Sequence, residues 1–262
     1  MQGAGVMATA LALTAAGTVV TVRMMRRNAS KRDEIVMGVL GPSIGALHML
    51  IVAFALVAGW QSVTDADTNA DNEAKRAVEL YWSARAVPDP VGTAVQGYVR
   101  TYAQVTIHKE WPMMRRGELG NDSGLILDQA RLRLLQFHPK DFTVEQRRLD
   151  AMDRLRDLSN FHDERASLAG SRLPPMLLLG VIGTSLLMIF FPLVMGLEGN
   201  LHSLAWAITT SMLFTVTVLV VFQFERPYGG AVGIRPGALV GAQEQFARID
   251  TYPPTRLAPP KK

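Results

Sequence analysis

IVMGVLGPSIGALHMLIVAFALVAG, residues Ile35–Gly59, carries no formal charge, and Ser43 and His48 are its only clearly polar side chains. At about 1.5 Å per residue a helix of this length crosses a hydrocarbon core of about 30 Å. A water-soluble helix would need a polar face, so the stretch reads as a transmembrane helix. Gly41, Gly45, His48 and Val52 follow at steps of four, three and four and share one helical face. Two readings of that face stand side by side. Gly41-x-x-x-Gly45 lets a second backbone approach, with His48 hydrogen-bonding across the contact. Alternatively, the small residues line a pore or cavity and His48 meets water or an ion.

Outward from this stretch the apolar residues fall into four blocks of a 262-residue, 48% hydrophobic chain, the pattern of a polytopic membrane protein. Gly5–Val22 is the first block. Its basic residues (Arg23, Arg26, Arg27, Lys31, Arg32) follow the apolar run instead of preceding it, so a retained helix is expected and not a cleaved signal. Met176–Leu197 and Leu201–Phe224 are the third and fourth, and the hydroxyls at Thr209, Thr210, Ser211, Thr215 and Thr217 are expected to bond back to their own helix. The domain order is therefore 1–59, two membrane helices with a basic connection; 60–174, a helical aqueous domain; 175–225, two membrane helices; and 226–262, a tail that is Pro-rich at its end and expected to be extended or disordered. The fold class is all-α, with four transmembrane helices and the helical domain inserted between the second and third.

Within the inserted region Val63, Ala66, Ala70, Ala77, Tyr81 and Ala84 keep helical spacing, so the second membrane helix is expected to continue into water. Pro88-Asp89-Pro90 ends it, with Asp89 expected as the next N-cap and Pro90 at the first helical position. That next helix has Val91, Val95, Tyr98, Tyr102 and Val105 as its stripe and is expected to stop at Glu110-Trp111-Pro112. Asp122 or Ser123 is expected to cap another helix. Thr143 to Gln146 reads as a capping box for a long helix running to Arg172, with Leu149, Met152, Leu155, Leu158 and Phe161 inside. A short amphipathic piece spans Ala238–Ile249.

Reactive constellations are scarce. Net charge is +4, with 27 basic against 23 acidic residues interspersed, which disfavours a nucleic-acid partner. There is no cysteine, and the five histidines do not fall at metal-ligand spacing, so no catalytic residue, metal or cofactor is expected. His162-Asp163-Glu164 reads as a solvated helix face. Arg147, Arg148, Arg154, Arg156 and Arg165 read as a helix surface paired with Asp150, Asp153 and Asp157, in preference to an anion path.

The order of elements resembles the bestrophin channels, and the local sequence is closer still to the bestrophin-like family of bacterial membrane proteins. The residues that carry the resemblance are the Gly-rich second helix ending in Phe54 and Trp60, then Glu73-Ala74, Glu110-Trp111-Pro112 and Arg226-Pro227-Tyr228-x-Gly230. The resemblance implies self-association, as a pentamer about a central axis, in a lipid bilayer. The second helix would line a neck and anions or small solutes would pass. An acidic calcium clasp is not expected, since the tail offers only Glu225, Glu244 and Asp250. The competing reading is an accessory or scaffolding subunit of another membrane protein, with no pore of its own. Trp111 and Tyr228 are expected at the interface or in the domain core. Arg226 is expected to pair with Glu110 or Glu73. The resemblance implies a location in the bacterial cytoplasmic membrane; the basic density beside the first helix favours a cytoplasmic 23–34 loop with an extracytoplasmic domain, whereas the bestrophin resemblance implies the reverse orientation.

Overall fold

The computed structural model describes residues 34–195 and 201–253, together with positions 12, 16, 17 and 19. Among these residues all regular structure is helical: α1 Glu34–Ala86, α2 Val91–Val105, a π-turn Thr106–Glu110, α3 Trp111–Arg116, α4 Asp122–Leu135, α5 Phe142–Gly170, α6 Pro175–Met195, α7 Leu201–Gln223 and α8 Gly237–Asp250. The expected first helix, Gly5–Val22, and the end of the tail lie outside the described residues, except that Ala12, Ala16, Gly17 and Val19 are helical. Three helical stretches are long and apolar enough to cross a membrane, within Val39–Ala86, within Phe142–Phe191 and at Leu204–Gln223. Asp65, Asp67, Asp71, Glu73, Lys75, Arg76 and Glu79 crowd the later half of α1, so only its part before Trp60 is apolar. In the second stretch the apolar part is α6, because α5 is rich in Asp and Arg.

The chain divides into two compact units. The first holds residues up to 61, 172–226 and 230–232; the second holds 62–171, 227–229 and 233–262. The core of the first unit is Ala55, Leu173, Val181 and Val221, with Ile51, Val52, Leu56, Ala58, Leu178 and Val218 packed against it. Its outward side chains are apolar as well, including Met49, Phe54, Val57, Leu179 and Leu213. An apolar exterior suits lipid or other subunits and not water. Hydroxyls at Thr209, Thr215 and Thr217 donate to carbonyls four residues back, at 2.8 to 3.0 Å.

The second unit is built on small residues. Ala66, Ala70, Ala74, Ala77 and Ala84 of α1 are buried, leaving room for neighbouring helices to come close. α2, α4, α5 and α8 supply Val95, Val99, Leu127, Leu134, Leu155, Leu158, Leu239 and Phe246 to the same core.

Several expected boundaries move. Pro90, not Asp89, is the N-cap of α2, and the Asp89 carboxylate instead accepts from the Thr93 hydroxyl. The cap of α4 is Asn121, because Ser123 is committed elsewhere. α5 starts two residues earlier than a Thr143 box implies: the Asp141 carboxylate accepts from the amides of Thr143 and Val144 at 2.7 and 3.1 Å, and the helix ends at Gly170. Helix also persists through Trp111-Pro112. Proline has no N–H, and its ring collides with the carbonyl four residues back in an α-helix. The π-turn at Thr106–Glu110 widens the backbone there, and the Trp111 amide bonds to the Thr106 carbonyl.

Candidate functional site

Two clusters contain the residues singled out by sequence. In the first unit the glycine face of α1 is filled by side chains of the same chain. A Cβ at Gly41 would meet the Phe191 ring at 3.0 Å, and one at Gly45 would meet Met188 at 3.5 Å. At Gly59 a Cβ would lie 2.5 Å from the Phe224 Cβ, so no larger residue fits without a shift. His48 is 4% exposed; its Nδ1 lies 2.8 Å from the Thr184 hydroxyl, and the Phe214 ring stands edge-on at 4.9 Å. Thr184 uses its own proton on the Gly180 carbonyl, so His48 donates from Nδ1. Val52 packs against the core of this unit. An interhelical bond of this kind contributes about 1 kcal/mol. His48→Ala is therefore expected to lower the thermal midpoint in detergent by a few degrees, and an unchanged midpoint would count against the contact.

The opposite side of α1 carries a second stripe. Ser43, Leu47, Leu50, Phe54, Val57 and Gln61 recur in alternating steps of four and three, and all are exposed in the single chain. A strict alternation of this kind keeps one seam facing a common axis when helices gather.

In the second unit the conspicuous feature is a buried charge cluster. Arg165 of α5 is 2% exposed and reaches two carboxylates, Glu73 of α1 through Nε at 3.0 Å and Glu110 of the π-turn through Nη2 at 3.0 Å. Glu110 also accepts from the Ser123 amide at 2.8 Å and the Ser123 hydroxyl at 2.6 Å. The amide is one of the unpaired donors at the start of α4, where negative charge is favoured. Glu73 accepts from the Tyr102 hydroxyl. One turn earlier on α1, Asn69 donates to the Phe161 carbonyl of α5 at 3.1 Å, so two successive turns tie the same pair of helices.

The electrostatics follow from this geometry. Burial pushes the Glu73 carboxyl up, against the pull of Arg165 and of the Tyr102 hydrogen bond. Burial acts the same way on Glu110, but the Ser123 hydroxyl and amide together with Arg165 outweigh it and hold that carboxyl below its usual range. His162 is pushed down by burial and by Arg165. Its Nδ1 accepts from Arg165 at 3.0 Å, which requires the neutral ring. Burial raises the Tyr102 and Tyr228 phenols.

The guanidinium that meets both Glu73 and Glu110 is Arg165. This finding corrects the assignment of Arg165 and His162 to a solvated surface. Arg154 and Arg156 pair as expected with Asp150 and Asp153 at 3.6 and 3.4 Å, whereas Arg148 pairs with Glu145, Arg147 donates to the Ala86 carbonyl, and Asp157 meets Arg76 of α1. Trp111 and Tyr228 are both buried, with rings edge-to-face at 5.3 Å, and Trp111 Nε1 donates to the Ile234 carbonyl at 3.2 Å. The Pro227 carbonyl accepts from the Ile234 amide at 3.1 Å, which closes the loop over Trp111. Gly230 within that loop has φ of 69°, a left-handed conformation open to glycine. Among the described residues no group of His, Asp or Glu side chains could hold a metal ion.

Among the described residues all regular structure is helical and three stretches are apolar and long enough to cross a membrane, one of them continuing into a helical unit around a buried Glu–Arg–Glu cluster, which defines a class of integral membrane protein. A family model, the Bestrophin-like domain, matches residues 8–239, and the chain belongs to that family. None of the curated proteins compared matches the chain. Two crystal structures of point variants of a bacterial bestrophin homologue from Klebsiella pneumoniae share the fold. One is 12% identical with a TM-score of 0.68, covering 95% of this chain and 98% of its own. The other is 13% identical with a TM-score of 0.69, covering 94% and 99%.

Proposed function

We propose that the chain is the subunit of a bestrophin-type membrane channel for anions or small solutes. Four spans per subunit anchor it in a bacterial cytoplasmic membrane, and copies assemble as a pentamer about a central axis with α1 lining the path. The basic 23–34 segment faces the cytoplasm in this arrangement, following the concentration of positive charge beside the first span.

One observation carries the reading of the pore. The Gly41–Gly45–His48–Val52 face is occupied by α6 and α7 of the same chain, whereas the Leu47–Leu50–Phe54–Val57 stripe is exposed. The glycine face packs within the subunit; of the exposed side chains of α1, which also include Met49 and Trp60, the Leu47–Leu50–Phe54–Val57 stripe lies directly opposite that face and lines the neck, with Ser43 and Gln61 as its polar ends. A neck of bulky apolar side chains opposes wetting and so controls passage by its width. Purified protein in planar bilayers is expected to conduct. Phe54→Ala should raise the unitary conductance several-fold by widening the neck, and His48→Ala should leave it unchanged. Silence of the wild-type protein over a range of pH and voltage would contradict the proposal.

A further inference from the structure

Two carboxylates share one guanidinium in the second unit, and the shell around them allows the charge to be counted. Glu73 is 0% exposed and Glu110 1%. The groups facing Glu73 are Arg165 from α5, Tyr102 from α2 and Glu110 from the π-turn. His162 faces Arg165 with an accepting nitrogen and therefore brings no positive charge. Tyr228 adds a buried hydroxyl that has no hydrogen-bond partner among the described residues. Asp67, Asp128, Asp163 and Glu164 lie further out, acting on Tyr228 or His162, and all four are acidic. Arg165 is thus the one cation among the described buried groups, and with both carboxylates ionised the cluster holds an excess negative charge out of water. Such a charge is strongly unfavourable, and the group sheds it by taking up a proton.

The donors decide which carboxylate takes it. Glu110 receives three, the Ser123 amide, the Ser123 hydroxyl and Arg165 Nη2. Glu73 accepts one hydrogen bond, from the Tyr102 phenol; its other oxygen lies 3.0 Å from Arg165 Nε as an ion pair without hydrogen-bond alignment. A phenol can turn and accept, whereas an amide or a guanidinium cannot. The Ser123 hydroxyl can turn as well, but Glu110 is also held charged by a fixed amide and a guanidinium hydrogen bond, whereas the one hydrogen-bond donor on Glu73 can turn, so the proton goes to Glu73.

We propose that Glu73 is a proton-binding site, neutral in the resting protein and donating to the Tyr102 oxygen, so that the packing of the second unit around α1 responds to pH. With Glu73 neutral, Arg165 and Glu110 form a balanced pair; with Glu73 ionised, two buried anions compete for one cation.

The folded-state affinity of Glu73 for its proton is raised above that of the unfolded chain. The stability it confers is therefore fully present below the ordinary carboxylate range and is lost as pH rises through the folded value. Across that window the folding constant falls about tenfold per pH unit.

Infrared spectroscopy of the full-length protein in detergent tests the site directly, because a neutral carboxylic acid has a carbonyl stretch distinct from that of a carboxylate. Near neutral pH the wild type is expected to show this band and lose it on alkaline titration. Glu73→Gln should abolish the band and flatten the pH dependence of the thermal midpoint. Tyr102→Phe leaves the acid in place and should shift the band without removing it. Absence of the band in the wild type, its persistence in Glu73→Gln, or its indifference to Tyr102→Phe would each overturn the proposal.

Discussion

Arg165→Ala is expected to destabilise the second unit by about 3–5 kcal/mol, among the largest losses any single substitution in this chain should produce. The reason is the two acids left behind. Glu73 and Glu110 are buried, and both lie 3.0 Å from Arg165. Removing the guanidinium strands the Glu110 carboxylate in a medium that solvates charge poorly and opens a gap beside the neutral Glu73, and the Ser123 donors cannot neutralise the charge left behind. Arg165→Lys should rescue little, because one ammonium cannot reproduce the Nε and Nη2 directions that reach two different elements. Denaturation in detergent followed by circular dichroism measures the effect. A loss below about 1 kcal/mol would show that the cluster is not a structural centre.

Trp111→Ala should cost a similar amount, about 3–5 kcal/mol, by a different route. Trp111 is 2% exposed, packs its ring against Tyr228 and donates to the Ile234 carbonyl. Truncation opens a cavity where the π-turn meets the 227–234 loop and leaves that carbonyl unpaired. Trp111→Phe separates the two contributions, since it keeps most of the volume and loses only the donor, for about 1 kcal/mol. If the alanine and phenylalanine variants unfolded together, packing would not be the principal contribution.

The membrane part of the fold was legible because its signal is composition. Long uncharged runs need no partner to be recognised, and the structure places helices at the second, third and fourth blocks. The buried cluster was harder to read, although its spacing was present. On α5 the buried positions Ala151, Leu155, Leu158, His162 and Arg165 alternate in steps of four and three. Continuing the apolar stripe by that step lands on His162 and Arg165, but abundant neighbouring Asp and Arg made them look like more of the same surface. Choosing Leu149 as an inward residue shifted the frame; it is 40% exposed. On α1 the same rule links Ala66, Ala70, Glu73, Ala77 and Leu80, with Glu73 on the core line. A charged residue at a core position predicts a partner at another core position, and that inference was available from the two stripes together. The π-turn was not legible. Pro112 announces a disturbance of the helix, but whether it ends or widens depends on what Glu110 and Trp111 are bonded to, and those partners come from α4, α5 and the 227–234 loop. The glycine face of α1 shows a similar limit. Spacing identified the face, while its occupants lie far away in sequence, on α6 and α7.

The central claim, that α1 lines a conducting path with its Leu47–Leu50–Phe54–Val57 stripe, is tested most directly by thiol scanning. The chain contains no cysteine, so each introduced thiol is the only one present. Single substitutions Leu50→Cys, Phe54→Cys and Val57→Cys, with Val52→Cys and Ala55→Cys as controls, are to be treated with a water-soluble thiol reagent during bilayer recording. The account predicts that modification changes the current at 50, 54 and 57 and leaves it unaltered at 52 and 55. Reaction confined to 52 and 55, with 50, 54 and 57 inert, would contradict it.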